Sequence, residues 1–162
     1  KMLVLDVDGV MTDGRVWWIE GTGWTRSFNV KDGYGMKILM QAGVDVAIIS
    51  GGDSKSVRER AQWLGIKHVY LGDENKMVAF EKIKKATGFA NDEMAFVGDE
   101  LFDIPVLQAC GFSATVPHAV SEVKDIVHYI TEESGGAGAV REVTDLIRLS
   151  RPARAIGPSH SQ

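Results

Sequence analysis

Segments with the pattern of strands alternate along the chain with segments that have the pattern of helices, and this alternation constrains the fold most strongly. The strand candidates are residues 2–7, 44–49, 68–71, 94–97, 112–115 and 126–129, and the helix candidates are residues 35–41, 54–64, 76–87, 103–109 and 138–149. The alternation predicts an α/β fold of the Rossmann type, in which helices flank both faces of a mostly parallel sheet.

The length and composition are those of one small domain. The chain has 162 residues, of which 44% are hydrophobic, and this is sufficient for a buried core. We assign residues 1–150 to this domain. Residues 151–162, which include two prolines, are expected to form a flexible tail.

The net charge and the cysteine content restrict which binding partners and which cellular compartment are expected. The net charge is −4, so neither a nucleic acid nor an anionic membrane is the expected partner. No apolar run in the sequence is long enough for a transmembrane helix. The single cysteine, Cys110, cannot form an internal disulfide, and no signal peptide is visible. These observations predict a cytoplasmic protein.

One segment, residues 15–30, interrupts the alternation. Two strand-like stretches surround a loop with two glycines, a pattern that predicts a β-hairpin inserted after the first strand. The segment contains three of the four tryptophans, Trp17, Trp18 and Trp24. An aromatic ribbon of this kind either packs onto its own core or is buried by a partner, and we favour the partner.

The first strand ends in two carboxylates, Asp6 and Asp8. Side chains at i and i+2 point to the same side of an extended strand, and burying two like charges together is costly unless a cation neutralises them. The pattern predicts a Mg²⁺ site at the end of the strand, with one carboxylate free to attack phosphorus. The alternative is an ordinary strand followed by a polar Asp-Gly turn.

Polar residues also follow two of the other predicted strands. Ser50 follows the second strand candidate, and Asp99 follows the strand predicted at residues 94–97. In parallel sheets of this kind, ligands bind beyond the carboxyl ends of the strands. Ser50 and Asp99 are therefore expected to share one site with the two carboxylates of the first strand.

Four motifs occur in order along the chain, and together they resemble those of the haloacid dehalogenase superfamily of phosphohydrolases. The motifs are Asp6-Val7-Asp8, Ser50-Gly51, Lys76 at a helix start, and Gly98-Asp99 followed by Asp103. Each one alone has an ordinary explanation, such as a polar turn, a solvated lysine or a helix N-cap. All four in sequence, each at a strand end or a helix start, favour the resemblance.

The resemblance implies a catalytic role for several of these residues. Asp6 is the expected nucleophile that forms an aspartyl-phosphate, and Asp8 is expected to protonate the leaving oxygen and then to activate water. Lys76 is expected to neutralise the phosphate and the nucleophile together. Ser50 and Gly51 are expected to hold the phosphoryl group through a hydroxyl and adjacent backbone amides.

The resemblance also implies a set of metal ligands. Asp6, Asp99 and the backbone carbonyl of Asp8 are expected to hold Mg²⁺, a cation that prefers oxygen ligands. Asp103 follows Asp99 by one helical turn and is expected to orient these ligands or Lys76.

Three longer segments, at residues 8–14, 28–35 and 135–142, resemble the phosphatases of 3-deoxy-D-manno-octulosonate 8-phosphate (KDO 8-phosphate) of lipopolysaccharide synthesis. This resemblance extends over residues 2–149. The short interval between the first two motifs leaves no room for a cap domain, which implies the capless subclass. In that family the hairpins assemble a homotetramer and a neighbouring subunit helps to close each site, so the hairpin at residues 15–30 is the expected interface.

The same family pattern implies further residues that bind a sugar-acid phosphate. Lys31, Asp32 and Gly33 are expected to line the mouth of the pocket; the alternative is an ordinary Asp-Gly turn before a helix. Arg60 is expected to face the carboxylate of the neighbouring subunit's substrate, because a planar guanidinium suits a carboxylate. The alternative is that Arg58 and Arg60 form a solvated helix face.

Position 52 departs from the family pattern. The octulosonate phosphatases usually have arginine after the glycine of the second motif, whereas this chain has Gly52. Two alternatives therefore stay open at this point: a phosphatase of nonulosonate (sialic-acid-like) 9-phosphates, and a catalytically silent tetramerisation domain of a sugar-acid cytidylyltransferase system. The intact charged residues of the motifs argue against the silent domain, because retaining buried charges without a function is costly.

Overall fold

The computed structural model describes residues 1–150, so the predicted tail at residues 151–162 lies outside the described residues. The strands are β1 (Met2–Leu5), β2 (Trp17–Ile19), β3 (Gly23–Thr25), β4 (Asp45–Ser50), β5 (His68–Leu71), β6 (Met94–Val97), β7 (Phe112–Thr115) and β8 (Tyr129–Ile130). The helices are α1 (Val30–Gln41), α2 (Lys55–Leu64), α3 (Lys76–Thr87), α4 (Ile104–Ala109), α5 (Ser121–Lys124) and α6 (Ala139–Leu149), with 3₁₀ turns at Asn91–Glu93 and Leu101–Asp103. Within the described range, each helix is too short or too polar to cross a membrane.

Six strands form one parallel sheet in the order β5-β4-β1-β6-β7-β8, and β2 pairs with β3 as a separate antiparallel hairpin. The predicted α/β fold with a hairpin insertion is confirmed. In the described part of the chain, the segment between β1 and β4 contains the hairpin and α1 and no cap domain.

The boundaries of some elements differ from the predicted ones. α1 begins at Val30, earlier than predicted, because the side chain of Asn29 accepts a hydrogen bond from the backbone N–H of Lys31 at 2.8 Å and caps the helix. The last strand is Tyr129–Ile130 rather than residues 126–129, and α5 was not predicted. The sequence pattern predicted a later start for α1 because its first turns contain glycines, and glycine is a poor helix former.

Helices cover both faces of the sheet, and β1 lies at its centre. Leu3 and Leu5 face the core layer built with α1, α2 and α6, while Met2 and Val4 face the layer built with α3, α4 and α5. All four of these side chains are buried. The carboxyl end of β1 therefore opens at the middle of the sheet edge, between the ends of β4 and β6.

The aromatic side chains of the hairpin are largely exposed. Trp17, Trp18 and Trp24 have exposed fractions of 45%, 64% and 54%. Trp18 and Trp24 face each other across the two strands, with ring centroids 5.4 Å apart in an edge-to-face arrangement. Of the two arrangements considered for this ribbon, packing onto the chain's own core is therefore wrong for the three tryptophans.

Candidate active site

Polar residues gather at the carboxyl ends of the three central strands. Asp6 follows β1, Ser50 ends β4, and Asp99 follows β6 by way of Gly98. The backbone N–H of Asp6 donates to the carbonyl of Val97 at 3.0 Å, which continues the pairing of β1 with β6 beyond the last strand residue. The sheet edge thus brings together the residues that the sequence places at strand ends.

A buried lysine lies between two carboxylates at this edge. The Nζ of Lys76, the first residue of α3, lies 2.7 Å from Oδ1 of Asp6 and 2.5 Å from Oδ1 of Asp103. The other oxygen of Asp103 accepts hydrogen bonds from the backbone N–H groups of Asp99 and Glu100, at 2.9 and 3.1 Å. Because a buried charge needs partners, this network holds the ammonium against Asp6 and ties it to the loop after β6.

The donor set suits a divalent cation. Carboxylate oxygens of Asp6, Asp99 and Asp103 lie within 4.8 Å of one another. Burial raises the pKa of Asp6, and burial together with the nearby Asp103 raises the pKa of Asp99 to about 6. Oδ1 of Asp99 is buried and has no hydrogen-bond partner among residues 1–150. A hard cation such as Mg²⁺ satisfies that oxygen and offsets the excess of negative charge, so these residues fit it.

Asp6 and Asp99 are the two carboxylates left for such a metal. Both oxygens of Asp103 are already bonded, one to Lys76 and one to backbone N–H groups. The loop after β1 approaches Asp99 so closely that a side chain at Gly9 would overlap the carboxylate, and Gly9 has a φ of +89° that favours glycine. Gly9, which directly follows the first motif, therefore has a steric role at this site.

The loop after β4 lies on another side of the candidate site. The Oγ of the buried Ser50 accepts a hydrogen bond from the backbone N–H of Gly52 at 3.3 Å. Gly51 packs against Glu74, and a Cβ at Gly51 would lie 3.2 Å from Cγ of that residue. The small residues keep this loop close to its neighbours and provide a hydroxyl and backbone amides, which are the groups that bind phosphate oxygens.

Arg26, which directly follows β3, is a site residue that was not predicted from the sequence. Its Nε and Nη2 donate to the two oxygens of Asp8 at 2.5 and 2.8 Å, and its Nη1 donates to Oγ of Ser54 at 2.8 Å. No motif marks this arginine, since only the fold of the hairpin carries it back to the end of β1. The one available signal was the glycine at position 52, where a larger side chain would crowd the guanidinium.

Asp32 and Gly33 lie where α1 packs against its neighbouring helices, and Arg60 of α2 lies beside them. Their expected roles, at the pocket mouth for Asp32 and Gly33 and toward a neighbouring subunit's substrate for Arg60, stay predictions. Asp32 is 2% exposed, and its Oδ1 accepts a hydrogen bond from the backbone N–H of Arg141 at 2.8 Å. Gly33 contacts the guanidinium of Arg60, whose Nη2 donates to the carbonyl of Asn29 at 3.1 Å. The N-terminus of α6 meets that of α1 and attracts the Asp32 carboxylate, which draws this residue inward.

Lys31 is exposed and lines a cavity of about 360 Å³. The other lining residues are Glu132, Glu133, Ala137, Gly138, Arg141 and Glu142. The loop that contributes several of them packs against the loop after β1, where the backbone N–H of Gly136 donates to the carbonyl of Val10 at 3.1 Å. The cavity that Lys31 lines therefore lies against a loop that contacts the segment after β1.

Asp32→Asn is expected to change how stability depends on pH. Burial raises the pKa of Asp32 from 3.8 to about 6. The folded state therefore holds this proton more tightly than the unfolded state, and the resulting stability is fully present below about pH 4 and lost as the pH rises through 6. The free energy of unfolding of the wild type, relative to Asp32→Asn, should fall by about 2 kcal/mol between pH 4 and pH 7 in denaturant titrations. A constant difference would contradict this, and the exposed Asp45→Asn is the control.

Comparisons with known proteins identify hydrolases of the type that the four motifs indicate. A family model described as haloacid dehalogenase-like hydrolase matches residues 65–143. The 3-deoxy-D-manno-octulosonate 8-phosphate phosphatase of Escherichia coli K12 is 40% identical over 151 residues, which cover 93% of this chain and 80% of that protein. This chain belongs to the haloacid dehalogenase-like hydrolases. The similarity to octulosonate phosphatases extends over most of the chain, in agreement with the resemblance of the longer segments.

Solved structures of the same hydrolase family superpose closely. The Yersinia pestis 3-deoxy-D-manno-octulosonate 8-phosphate phosphatase has a TM-score of 0.88 and 41% identity, with coverage of 91% of this chain and 80% of that one. The Moraxella catarrhalis phosphatase, solved with magnesium, phosphate and a KDO molecule, has a TM-score of 0.88 and 37% identity over 91% and 84%. The haloacid dehalogenase-like fold predicted from the four motifs is confirmed.

Proposed function

We propose that this chain is a Mg²⁺-dependent phosphatase that hydrolyses KDO 8-phosphate to KDO and inorganic phosphate. The observation that carries this function is the buried Asp6 carboxylate, which Lys76 holds close to Oδ1 of Asp99, an atom without a hydrogen-bond partner among residues 1–150. Relatives at about 40% identity carry the name of this activity, and one related structure contains magnesium, phosphate and KDO together.

The first half of the reaction is nucleophilic attack by Asp6. One oxygen of the carboxylate forms a bond to phosphorus while the bond from phosphorus to the sugar oxygen breaks, and Lys76 holds the carboxylate through the contact at Oδ1. The ammonium of Lys76 offsets the repulsion between the carboxylate and the phosphate. When bound by Asp6, Asp99 and the carbonyl of Asp8, Mg²⁺ supplies further positive charge at the phosphate.

Asp8 serves both halves of the reaction as the proton carrier. Its side chain is 36% exposed, whereas that of Asp6 is 4% exposed, so Asp8 is the more accessible of the two. Both of its oxygens accept hydrogen bonds from Arg26, and one of these bonds has to be released when Asp8 takes part in proton transfer. It gives a proton to the departing sugar oxygen and then takes one from the water that attacks the aspartyl-phosphate. Ser50 and Gly51 hold the phosphoryl oxygens in both steps, and the second step releases phosphate and restores Asp6.

We assign Lys31 to the mouth of the substrate pocket and Arg60 to the carboxylate of the sugar acid bound by a neighbouring subunit. Lys31 is exposed beside the 360 Å³ cavity, and the guanidinium of Arg60 lies between the rings of Phe28 and Trp63 with a buried Nε. Position 52 supplies no cation, so recognition of the acid depends on these two residues and on a neighbouring subunit. Asp32 and Gly33 then act by packing, since they place Lys31 and Arg60.

The test is phosphate release from a panel of substrates with and without Mg²⁺. We expect KDO 8-phosphate to have the highest kcat/KM, with simple sugar phosphates about 10²-fold lower, because the acid group adds a charged contact that they lack. Chelation with EDTA should stop release, and added Mg²⁺ should restore it. Preference for a nonulosonate 9-phosphate would contradict the assigned substrate, and release from none of the panel would contradict the enzyme.

We also propose that the hairpin assembles a homotetramer. The support is the exposed ribbon of Trp17, Trp18 and Trp24, since exposed aromatic patches mark association surfaces. Trp18→Ser combined with Trp24→Ser is expected to shift the protein from tetramer to smaller species in size-exclusion chromatography with light scattering. Trp63→Ser is the control, because Trp63 is 63% exposed on α2 and lies outside the hairpin. A wild-type monomer would contradict the proposal.

The cytoplasm is the compartment that we propose for this reaction. Cys110 is the only cysteine of the sequence, and burial raises the pKa of its thiol to about 11. An unreactive, unpaired thiol fits a reducing compartment. Recovery of the expressed protein in a periplasmic or membrane fraction would contradict this location.

A further inference from the structure

We propose that Gly135 and Gly136 are positioning residues of the metal site, because they hold the loop after β1, which carries the carbonyl of Asp8, against Asp99. Both glycines lie between β8 and α6, far from that loop in the sequence. The proposal rests on the proposed function, since it concerns the Mg²⁺ site that the function requires. Asn29 is the side chain that ties the two glycines to the start of α1.

Gly9 contacts both the metal site and the first of the two glycines. A side chain at Gly9 would overlap the carboxylate of Asp99, and a Cβ at Gly135 would overlap the carbonyl oxygen of Gly9. The carbonyl of Asp8 belongs to the planar peptide unit that joins Asp8 to Gly9, so it moves together with Gly9. A displacement at Gly135 is therefore passed on to the Asp8 carbonyl and to the contact with Asp99.

Gly136 packs against the other end of the same loop. Its backbone N–H donates to the carbonyl of Val10 at 3.1 Å. A Cβ at Gly136 would lie 2.6 Å from the backbone nitrogen of Asp13 and 2.7 Å from the carbonyl carbon of Thr12. These are backbone atoms, which cannot swing aside as the end of a long side chain can. Gly136 also has a φ of +69°, so both its conformation and the space around it favour glycine.

The segment that carries the two glycines is itself firmly held. The carboxylate of Glu142, on α6, accepts hydrogen bonds from the backbone N–H groups of Glu132 and Glu133 at 3.0 to 3.1 Å. The hydroxyl of Thr131 donates to the carbonyl of Glu133 at 2.7 Å. Because its backbone is bonded to α6, the segment can act as a fixed support for the loop after β1.

The side chain of Asn29 makes two hydrogen bonds that substitution can separate. Its Nδ2 donates to the carbonyl of Gly136 at 3.1 Å, and its Oδ1 accepts from the backbone N–H of Lys31 at 2.8 Å. The first bond ties the glycine segment to the start of α1, and the second caps the helix. Aspartate and serine both cap helices well, but neither has an amide donor for the carbonyl of Gly136.

The first test is the affinity for Mg²⁺ alone, measured by isothermal titration calorimetry without substrate. Gly136→Ala should raise the Kd for Mg²⁺ by about tenfold, because loss of the groups that orient metal ligands weakens binding by about 10- to 100-fold. Gly88→Ala is the matched control. Gly88 has a φ of +72°, but a Cβ there would meet no other segment of residues 1–150 within 4 Å. It introduces the same backbone strain and should leave the Kd within about twofold.

The second test removes only the hydrogen bond from Asn29 to Gly136. Asn29→Asp and Asn29→Ser should each raise the Kd for Mg²⁺ by about threefold, the effect of one lost hydrogen bond. Agreement between the two variants separates the lost donor from the added charge. At saturating Mg²⁺, kcat and KM for the sugar phosphate should return to within about twofold of the wild-type values, since mass action compensates for weaker binding. A general loss of structure would not be restored in this way.

Three results would overturn the proposal. The first is an unchanged Kd for Mg²⁺ in Gly136→Ala and in both Asn29 variants. The second is an equal rise of the Kd in Gly88→Ala, which would assign the effect to backbone strain in general. The third is a loss of activity in the Asn29 variants that excess Mg²⁺ does not restore. If thermal unfolding shows that Gly136→Ala does not fold, the two Asn29 variants decide the question.

Failure of the proposed function gives a different result. A wild type that does not bind Mg²⁺ would contradict the metal-dependent reaction and this proposal together. A wild type that binds Mg²⁺ but does not hydrolyse KDO 8-phosphate would contradict only the substrate. The calorimetric comparison needs no substrate, so in that case it still supports or overturns the role of the two glycines.

Discussion

Replacing Asp6 with asparagine is expected to lower phosphate release by at least about 10³-fold while leaving the fold intact. The amide cannot form the bond to phosphorus that the carboxylate forms, so the aspartyl-phosphate is lost. Asparagine has nearly the same shape, and Lys76 keeps Asp103 as a partner at 2.5 Å. Phosphate release in the presence of Mg²⁺ measures the loss.

The same variant should be at least as stable as the wild type when no metal is added. Burial raises the pKa of Asp6, which means that its charged form is disfavoured in the folded protein. A neutral amide removes that cost, and thermal unfolding in EDTA should show no lower midpoint. Asp13→Asn is the control, since Asp13 is an exposed carboxylate of the same loop. Activity of Asp6→Asn above a tenth of the wild-type value would contradict the assigned nucleophile.

Replacing Lys76 with methionine is expected to destabilise the protein by about 3–5 kcal/mol, because it leaves two buried carboxylates without their cation. The side chains of Asp6 and Asp103 are 4% and 0% exposed, so water cannot replace the ammonium. Activity should also fall by at least about 10²-fold, since the nucleophile and the phosphate lose the charge that reduces their repulsion. Denaturant unfolding and phosphate release are the two measurements.

The destabilisation by Lys76→Met should be smaller in acid, because protonation removes the charge from the orphaned carboxylates. Lys82→Met is the matched control, since Lys82 is an exposed lysine of the same helix. A stability equal to that of the wild type would mean that the ion pairs at Lys76 contribute nothing net, and would contradict the electrostatic account of the site.

Local pattern accounts for the parts of the fold that were predicted. Strand-length apolar runs and helical periodicity are properties of short segments, and the strands at residues 68–71, 94–97 and 112–115 appear where they were expected. The start of α1 was missed because its first turns contain two glycines, which disfavour a helix, while the capping hydrogen bond of Asn29 favours one. Packing of α1 against α6 stabilises the helix, and that packing cannot be read from the local sequence.

In the candidate site, too, some residue positions could be predicted from the sequence and others could not. Asp6, Ser50 and Asp99 were predictable as neighbours because parallel strands bring their carboxyl ends to one edge. The position of Lys76 between two carboxylates was expected only from a resemblance, since its place in the sequence resembles that of a solvated lysine. The inward turn of Asp32 toward α6 was not predicted, because it depends on two helix ends that are distant in sequence.

The sequence by itself determined the parallel sheet, the carboxylates at its edge and the family, because periodicity and motif order are carried by residues close together in the chain. The tertiary structure decided which charges are paired. Arg26 reaches Asp8 and fills the space at Gly52 only because the hairpin folds back over the sheet edge. Contacts of this kind arise from the packing of distant segments, and no local pattern records them.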